Sequence, residues 1–378
     1  MSNIILQNKN RSAAFHWCVR VIAILAIVAT PVLSIQGADE LTVDAEELEQ
    51  FPLKKELPGN PPADGLRYWR EPFKPIGIHA SYVTVVIRKG TYELWYNTWG
   101  KDLDDRQIVV NRGRDLQHLG ETQPVFDSSI IDDVPDPKNP DTLSPERGIT
   151  RPWMYYDEEV GYVLACCVCP GYYPGSVPLL PALIRSRSGK PGTWTYRGKL
   201  KGDPVVIAKK RKVWSDGGSL HQLDDGSWRL YINGFGPAIG ALEAKSLKGP
   251  WKFRRGPDGK IRDLLPDDPD GPQKGGPWIN VVRAGPEEWH LWFTDGWPPQ
   301  CIWHLWSKDG LKWELYGKQP EITRFAVGGH GIKCLRAYLD ADGKHIVGLL
   351  SVWSNPGRGD TGWILHESTM PVGRPSGQ

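Results

Sequence analysis

Four side chains capable of acid–base chemistry stand out, three of them directly beside a glycine, proline or arginine. Asp216 lies in Trp214-Ser215-Asp216-Gly217-Gly218-Ser219-Leu220, and the glycines after it let backbone or ligand approach closely. His330 stands between glycines in Gly328-Gly329-His330-Gly331, and His79 lies in Ile78-His79-Ala80-Ser81. Glu146 precedes Arg147 and, five residues on, Arg151. Paired carboxylates can divide acid and base work when their surroundings push their pKa values apart. A histidine can give or take a proton near neutral pH. Arg147 and Arg151 suit a carboxylate or sulfate group on a ligand, and Pro152 is expected to hold Arg151 extended. Each residue also has a structural reading. Asp216 could cap a turn, Glu146 and Arg147 could be solvated in a loop, and Arg151 could belong to a structural ion pair.

The element that must position Asp216 is a hairpin. Leu220 to Leu223 reads as one strand, Asp224-Asp225-Gly226-Ser227 as the turn, and Trp228 to Asn233 as the return strand. Return strands of this kind recur: Tyr92 to Asn97, Tyr162 to Ala165, Trp228 to Asn233, Trp289 to Thr294 and His345 to Leu350. Their spacing of about 56–70 residues, with several short strands per unit, predicts propeller blades. Third strands follow at Gln107 to Asn111, Ala182 to Ser186, Ile239 to Ala244, Ile302 to Ser307 and Trp363 to Ser368. Fourth strands carry Trp194-Thr195-Tyr196, Trp251-Lys252-Phe253 and Trp313-Glu314-Leu315-Tyr316. The fifth unit runs short of chain, so an N-terminal segment, 66–75, is expected to close the ring. The predicted fold is an all-β, five-bladed β-propeller of four-stranded antiparallel blades over 76–372, with a tail at 373–378.

The loops joining second to third strands share one face of such a fold. They carry Trp99, Tyr173, Phe235, Trp297 and Trp353, rings suited to stacking on sugars, although chance placement in a chain with 18 Trp gives the same picture. The 42 Gly and 33 Pro favour short turns between strands over long helices. Lys and Arg number 46 against 44 Asp and Glu, with no long run of one sign, which leaves no electrostatic case for nucleic acid.

Residues 1–38 read as an export signal. Lys9, Arg11 and Arg20 precede an apolar run, Val21 to Ile35, of about 15 residues, short for a membrane span. An uncleaved N-terminal anchor is the rival. No later hydrophobic span occurs, so the expected location is secreted or periplasmic, with no membrane contact beyond this segment. Residues 39–75 are acidic, then proline-rich, a lead-in to the fold. Beyond Cys18 five cysteines remain, and Cys166-Cys167-x-Cys169 lacks zinc-ligand spacing, so buried thiols or one disulfide are expected. No cofactor is expected. Asp267, Asp268 and Asp270 could bind structural Ca²⁺, but their spacing misses the EF-hand pattern and fits a solvated loop.

Two blade joints add a resemblance. Ala244-Lys245-Ser246-Leu247-Lys248-Gly249-Pro250-Trp251 and Ser307-Lys308-Asp309-Gly310-Leu311-Lys312-Trp313 look like the third-to-fourth strand joints of the five-bladed propeller glycoside hydrolases. That superfamily includes invertases and levanases, arabinanases and β-xylosidases, and relatives that cleave anhydro-galactose linkages. The resemblance implies an active site at the axis, where first strands begin, with a carboxylate from each of the first three blades. The invertase-like Glu-Cys-Pro-Asp-Leu segment matches Asp216-Gly217-Gly218-Ser219-Leu220, which puts Asp216 at the acid position, one methylene shorter. Arg-Asp-Pro is matched by Thr150-Arg151-Pro152, so Arg151 replaces a carboxylate. The first blade offers His79 and no carboxylate between Glu71 and Glu93; Glu146 is the nearest partner for Asp216. His330 stands where some members carry an axial histidine, and the anhydro-galactosidase relatives are thought to use a histidine as acid. The implied function is glycoside hydrolysis of a poly- or oligosaccharide; Arg147 and Arg151 favour acidic sugars, and the anhydro-galactosidase relatives imply anhydro sugars as a further option. Two alternatives stand: a non-catalytic propeller binding carbohydrate or protein, and a sialidase-like hydrolase. The second joint resembles an Asp-box lacking one residue, but of the arginine triad a sialidase requires, only Arg147 and Arg151 cluster in the sequence.

Overall fold

Glycines at hairpin turns set the strand lengths. Gly90 and Gly226 take φ values of +75° and +78°, which a residue with a Cβ adopts only under strain. The computed structural model describes residues 69, 73–80, 82–98, 107–145, 147–170, 179–210, 213, 215, 218–235, 237–267, 278–294, 301–317, 320–323, 332–353 and 363–373. They form a five-bladed β-propeller of antiparallel four-stranded blades.

The chain enters through β1 (Lys74–His79) and then builds blade one from β2 (Val83–Arg88), β3 (Thr91–Asn97), β4 (Gln107–Gly113) and β5 (Gln123–Asp127). A two-stranded excursion, β6 (Pro135–Asp136) and β7 (Asn139–Leu143), precedes blade two. That blade comprises β8 (Gly148–Asp157), β9 (Gly161–Cys169), β10 (Leu180–Ser186) and β11 (Thr195–Lys199). After a short helix, Asp203–Ala208, blade three comprises β12 (Gly218–Gln222), β13 (Trp228–Ile232), β14 (Gly240–Ala244) and β15 (Lys252–Phe253). Blade four comprises β16 (Ile279–Gly285), β17 (Glu288–Thr294), β18 (Cys301–Ser307) and β19 (Glu314–Leu315), with β20 (Ile322–Thr323) paired to β18. Blade five takes β21 (Ile332–Leu339), β22 (His345–Trp353) and β23 (Trp363–Pro371) from the C-terminal end, and β1 from the other end of the chain.

Side chains alternate across a strand, so each blade buries one face against the blade before it and the other against the blade after it. In β9, Leu164 packs toward Trp95 and Ile108 of blade one, while Val163 and Ala165 pack toward Leu220 and Leu230 of blade three. Five such interfaces complete the ring, the last joining Val347, Leu349 and Leu365 of blade five to Val83 and Leu94 of blade one. Trp95, Trp251, Trp292 and Trp303 are fully buried in these interfaces, as core aromatics. Cys166, Cys167, Cys169, Cys301 and Cys334 are all buried, and none is in a disulfide.

The closing strand differs from the expected segment 66–75. It is β1, running alongside β23 with Lys74 opposite Glu367 and His79 opposite Ile364. Pro75 is tolerated there because β1 is the outermost strand, where a missing N–H costs no ladder bond. Trp69, which reads as part of a strand, is instead an anchor. Its ring lies so close to Gly348 that a Cβ there would come within 2.4 Å of it, and its indole N–H donates to Glu321 at 2.9 Å.

Candidate active site at the propeller axis

The first strands β2, β8, β12, β16 and β21 surround the axis, so the chemistry of its mouth is set by the residues presented where those strands begin. Blade one brings Tyr82, directly before β2. Blade two brings Arg151 on β8, blade four brings Trp278 ahead of β16, and blade five brings Lys333 and Arg336 on β21. The Trp278 indole N–H donates to the Tyr82 hydroxyl oxygen at 2.9 Å. Around the Tyr82 ring stand three cations: the Lys333 ammonium 4.8 Å from its centroid, the Arg151 guanidinium at 5.5 Å and the Arg336 guanidinium at 5.9 Å. The negative faces of aromatic rings attract cations, and here three of them gather around one ring. Lys333 and Arg336 are only 5% and 3% exposed, whereas Arg151 is half-buried and reachable from solvent. Arg336 donates to the Ile279 carbonyl at 3.0 Å, its Nε has no hydrogen-bond partner, and no carboxylate pairs with it among the described residues.

Arg151 does not take the extended conformation expected ahead of a proline. Its φ is +57°, in the left-handed region, and it sits in a bulge: Thr150 pairs with Cys167 and Trp153 with Ala165, so Arg151 and Pro152 share one partner residue. Pro152 has no N–H to give the ladder, which favours the bulge here. A non-glycine residue held at positive φ costs of order 1–3 kcal/mol, and such strain concentrates at binding and catalytic sites.

Beyond the mouth, toward the C-terminal ends of the first strands, the axis holds a cavity of about 280 Å³ lined by residues that include Thr84, Trp153, His221, Val281, Arg336 and Tyr338. Burial pushes the His221 pKa down to about 3, against a Val281 backbone bond that raises it, and Arg229 and Arg283 lower it further. Its Nε2 is buried without a partner. Arg336 both lines this cavity and faces Tyr82, so it links the cavity to the mouth.

The structure separates the residues singled out in the sequence. Arg151 reaches the axis. His79 lies exposed at the end of the outermost strand β1, and the residue its segment delivers to the axis is Tyr82. Arg147 is held by carbonyls: it donates to Ile131 and Ser144 at 2.9 Å each and to Ser129 at 3.4 Å, bracing the excursion before blade two. Asp216, Glu146, His330, Trp99, Tyr173 and Trp297 lie outside the described residues, as do Asp268 and Asp270 beside Asp267. Trp353 ends β22, its backbone opposite Trp363. Among the described residues no cluster of three or more His, Cys, Asp or Glu could hold a metal, and no helix is long and apolar enough to cross a membrane. Sequence reasoning missed Tyr82, Trp278, Lys333 and Arg336. A signal existed for the last two, since a lysine and an arginine interrupt the otherwise apolar run Ile332-Lys333-Cys334-Leu335-Arg336-Ala337.

No family model and no curated protein sequence matches the chain. Solved structures do. An α-L-arabinofuranosidase from Lactobacillus brevis superposes with a TM-score of 0.55 at 12% identity, over 81% of this chain and 94% of its own. An exo-β-1,3-galactanase from Clostridium thermocellum gives 0.54 at 14% identity, over 82% of this chain and 64% of its own. A family 117 glycoside hydrolase from the marine bacterium Zobellia galactanivorans gives 0.50 at 13% identity, over 84% and 89%. The shared property is the five-bladed propeller fold, as the blade-joint resemblance implies.

Proposed function

We propose that this chain is an exported glycoside hydrolase that acts on an acidic poly- or oligosaccharide at the mouth of its propeller axis. The observation that carries the reading is the convergence of Arg151, Lys333 and Arg336 on Tyr82 beside Trp278. A site with three cations around one phenol ring favours an anionic occupant. Arg151, the reachable one, has the fork geometry that binds a carboxylate or sulfate through two parallel hydrogen bonds. Lys333 and Arg336, almost sealed from water, raise the local positive potential. The fold shared with an arabinofuranosidase and a galactanase supports glycoside hydrolysis as the reaction.

In this reading Asp216 protonates the leaving oxygen, and Glu146 or His330 activates the attacking group on the opposite face of the sugar; these roles rest on the matched positions. Hydrolysis requires both functions, whatever the stereochemical outcome. Export rests on the basic and apolar segments of residues 1–38, and the partner is carbohydrate.

The test is release of reducing ends from polygalacturonate, alginate and sulfated galactan, compared with arabinan and unsubstituted β-1,3-galactan. Cleavage of an acidic glycan is expected. Arg151→Gln should raise KM for it by about 10–100-fold, the worth of a charged hydrogen bond of roughly 1.5–3 kcal/mol. Asp216→Asn should lower kcat by at least about 100-fold while binding persists. Cleavage of neutral glycans alone would refute the acidic substrate. Binding without cleavage, unchanged in Asp216→Asn, would establish a non-catalytic carbohydrate-binding propeller instead.

A further inference from the structure

A second cavity, of about 430 Å³, lies between blades two and three, away from the axis. Its walls are the third and fourth strands of blade two and the β14–β15 joint of blade three. Arg185, Arg197, Lys199 and Lys201 come from the first wall, and Lys248 and Trp251 from the second. Among the described residues no carboxylate lines it. Among the described residues, Lys199 is the one of these five cations with an ion pair, to Asp133 at 3.6 Å. The crowding is strong enough that burial, with Arg197 and Arg187 nearby, lowers the pKa of Arg185.

The groove is built, not incidental. Gly202 packs against Trp251 so closely that a Cβ would fall 2.2 Å from the Trp251 carbonyl oxygen, and the Trp251 N–H donates to the Lys201 carbonyl at 2.7 Å. These contacts lock the two walls together. Two buried donors then remain without a partner: Nε1 of Trp251, a residue with no exposure, and Nε of Arg185, whose Nη2 donates to the Val160 carbonyl at 3.2 Å. A buried donor left unsatisfied costs about 1–3 kcal/mol.

We propose that this groove is a second, non-catalytic site for an acidic polysaccharide, gripping sulfate or carboxylate groups on sugars away from those at the axis. The proposal rests on the acidic-glycan reading of the axis. It extends that reading to a polymer held at two places, where the second contact raises the effective concentration of chain at the first. A volume of this size lies within the range of small-molecule clefts and suits a short stretch of sugar. A polysaccharide fits better than nucleic acid because the chain as a whole carries a formal charge of only +2, so the positive potential is local to a groove and not spread over a face.

The test uses the whole protein and a binding readout independent of catalysis. Calorimetry with dextran sulfate, unmodified dextran and single-stranded DNA is run on Arg151→Gln protein, which weakens the axial contribution. It is repeated after adding Arg197→Gln and Lys248→Gln, both exposed positions, with thermal melts to confirm folding. Dextran sulfate alone should bind. The groove changes should weaken that binding at least tenfold and flatten its salt dependence. In otherwise wild-type protein the same two changes should leave kcat/KM on a short acidic oligosaccharide within twofold. Unchanged dextran sulfate affinity in the groove variant would overturn the proposal. So would DNA binding as tight as dextran sulfate and equally sensitive to the two changes. If no acidic oligosaccharide is cleaved, the axial reading fails while the binding arms still decide the groove.

Discussion

Single residues show how far the axis departs from a neutral protein interior. His221 illustrates this with a sign that can be checked. In the folded protein burial holds its pKa near 3, whereas an unfolded histidine titrates near about 6.5. Between those values the unfolded chain binds a proton that the folded one refuses. The contribution of neutral His221 to stability is therefore complete above about pH 6.5 and is lost as pH falls toward 3. His221→Gln removes that titration. Melting temperatures measured from pH 7 to pH 4 should fall less steeply in the variant than in the parent; parallel curves would mean that His221 is not held neutral. Arg151 marks the limit of local reasoning at this scale. A residue before proline is biased toward extended backbone, yet the bulge in β8 places Arg151 at φ +57° and aims it at Tyr82, a residue from another blade.

At the scale of elements, buried polar side chains tie strands of different blades together. Glu93 on β3 is fully buried and accepts from four donors: Arg88 at 3.2 Å, Arg112 at 3.2 Å, the Trp95 indole at 3.2 Å and the Tyr162 hydroxyl of blade two at 2.8 Å. Burial and the Glu93 carboxylate together push the Tyr162 hydroxyl pKa up. Glu93→Ala would leave the buried Trp95 and Tyr162 donors unanswered, and about 3–5 kcal/mol of stability should be lost in urea titrations. A loss below about 1 kcal/mol would show that water replaces the carboxylate. In blade four a string runs from Glu288 to His290 at 3.0 Å, to His304 at 2.8 Å, and on to buried Glu321. The joint Ser307–Trp313 is likewise structural. Asp309 accepts from the backbone N–H groups of Leu311 and Lys312 at 2.8 Å each, and the Tyr231 hydroxyl of blade three donates to the Gly310 carbonyl at 2.9 Å. The motif that points to the fold family thus serves blade docking, not catalysis.

For the whole molecule the decisive event is closure of the ring. Strand β1 supplies the fourth strand of blade five, and Trp69 fastens the segment that leads into it. Its indole shares the Glu321 carboxylate with Trp292, which donates at 3.1 Å, and its ring packs on Phe73 at 5.1 Å. Trp69→Ala should cost about 3–5 kcal/mol, as removal of a buried tryptophan does, read as a lower midpoint in chemical denaturation. A change under about 1 kcal/mol would mean that the backbone bonds of β1 suffice for closure.

The blades themselves were legible because alternation and turn chemistry are local. The return strands at 92–97, 228–233 and 289–294 each fall within a residue or so of β3, β13 and β17, since a glycine or acidic turn and an aromatic-aliphatic alternation leave the backbone few options. Five repeats of such a unit then imply a propeller. Strand β5 and the extent of β1 were not legible: Gln123–Asp127 and Lys74–His79 carry weak alternation and are strands because a neighbour's unpaired edge recruits them. The composition of the site was hidden for a related reason. Tyr82 and Lys333 are 251 positions apart, and only the closed ring sets an ammonium 4.8 Å from that phenol ring. Periodicity along the chain determined the fold. Which side chains meet at the axis was decided by closure, because contacts between blades depend on registers that no single stretch of sequence contains.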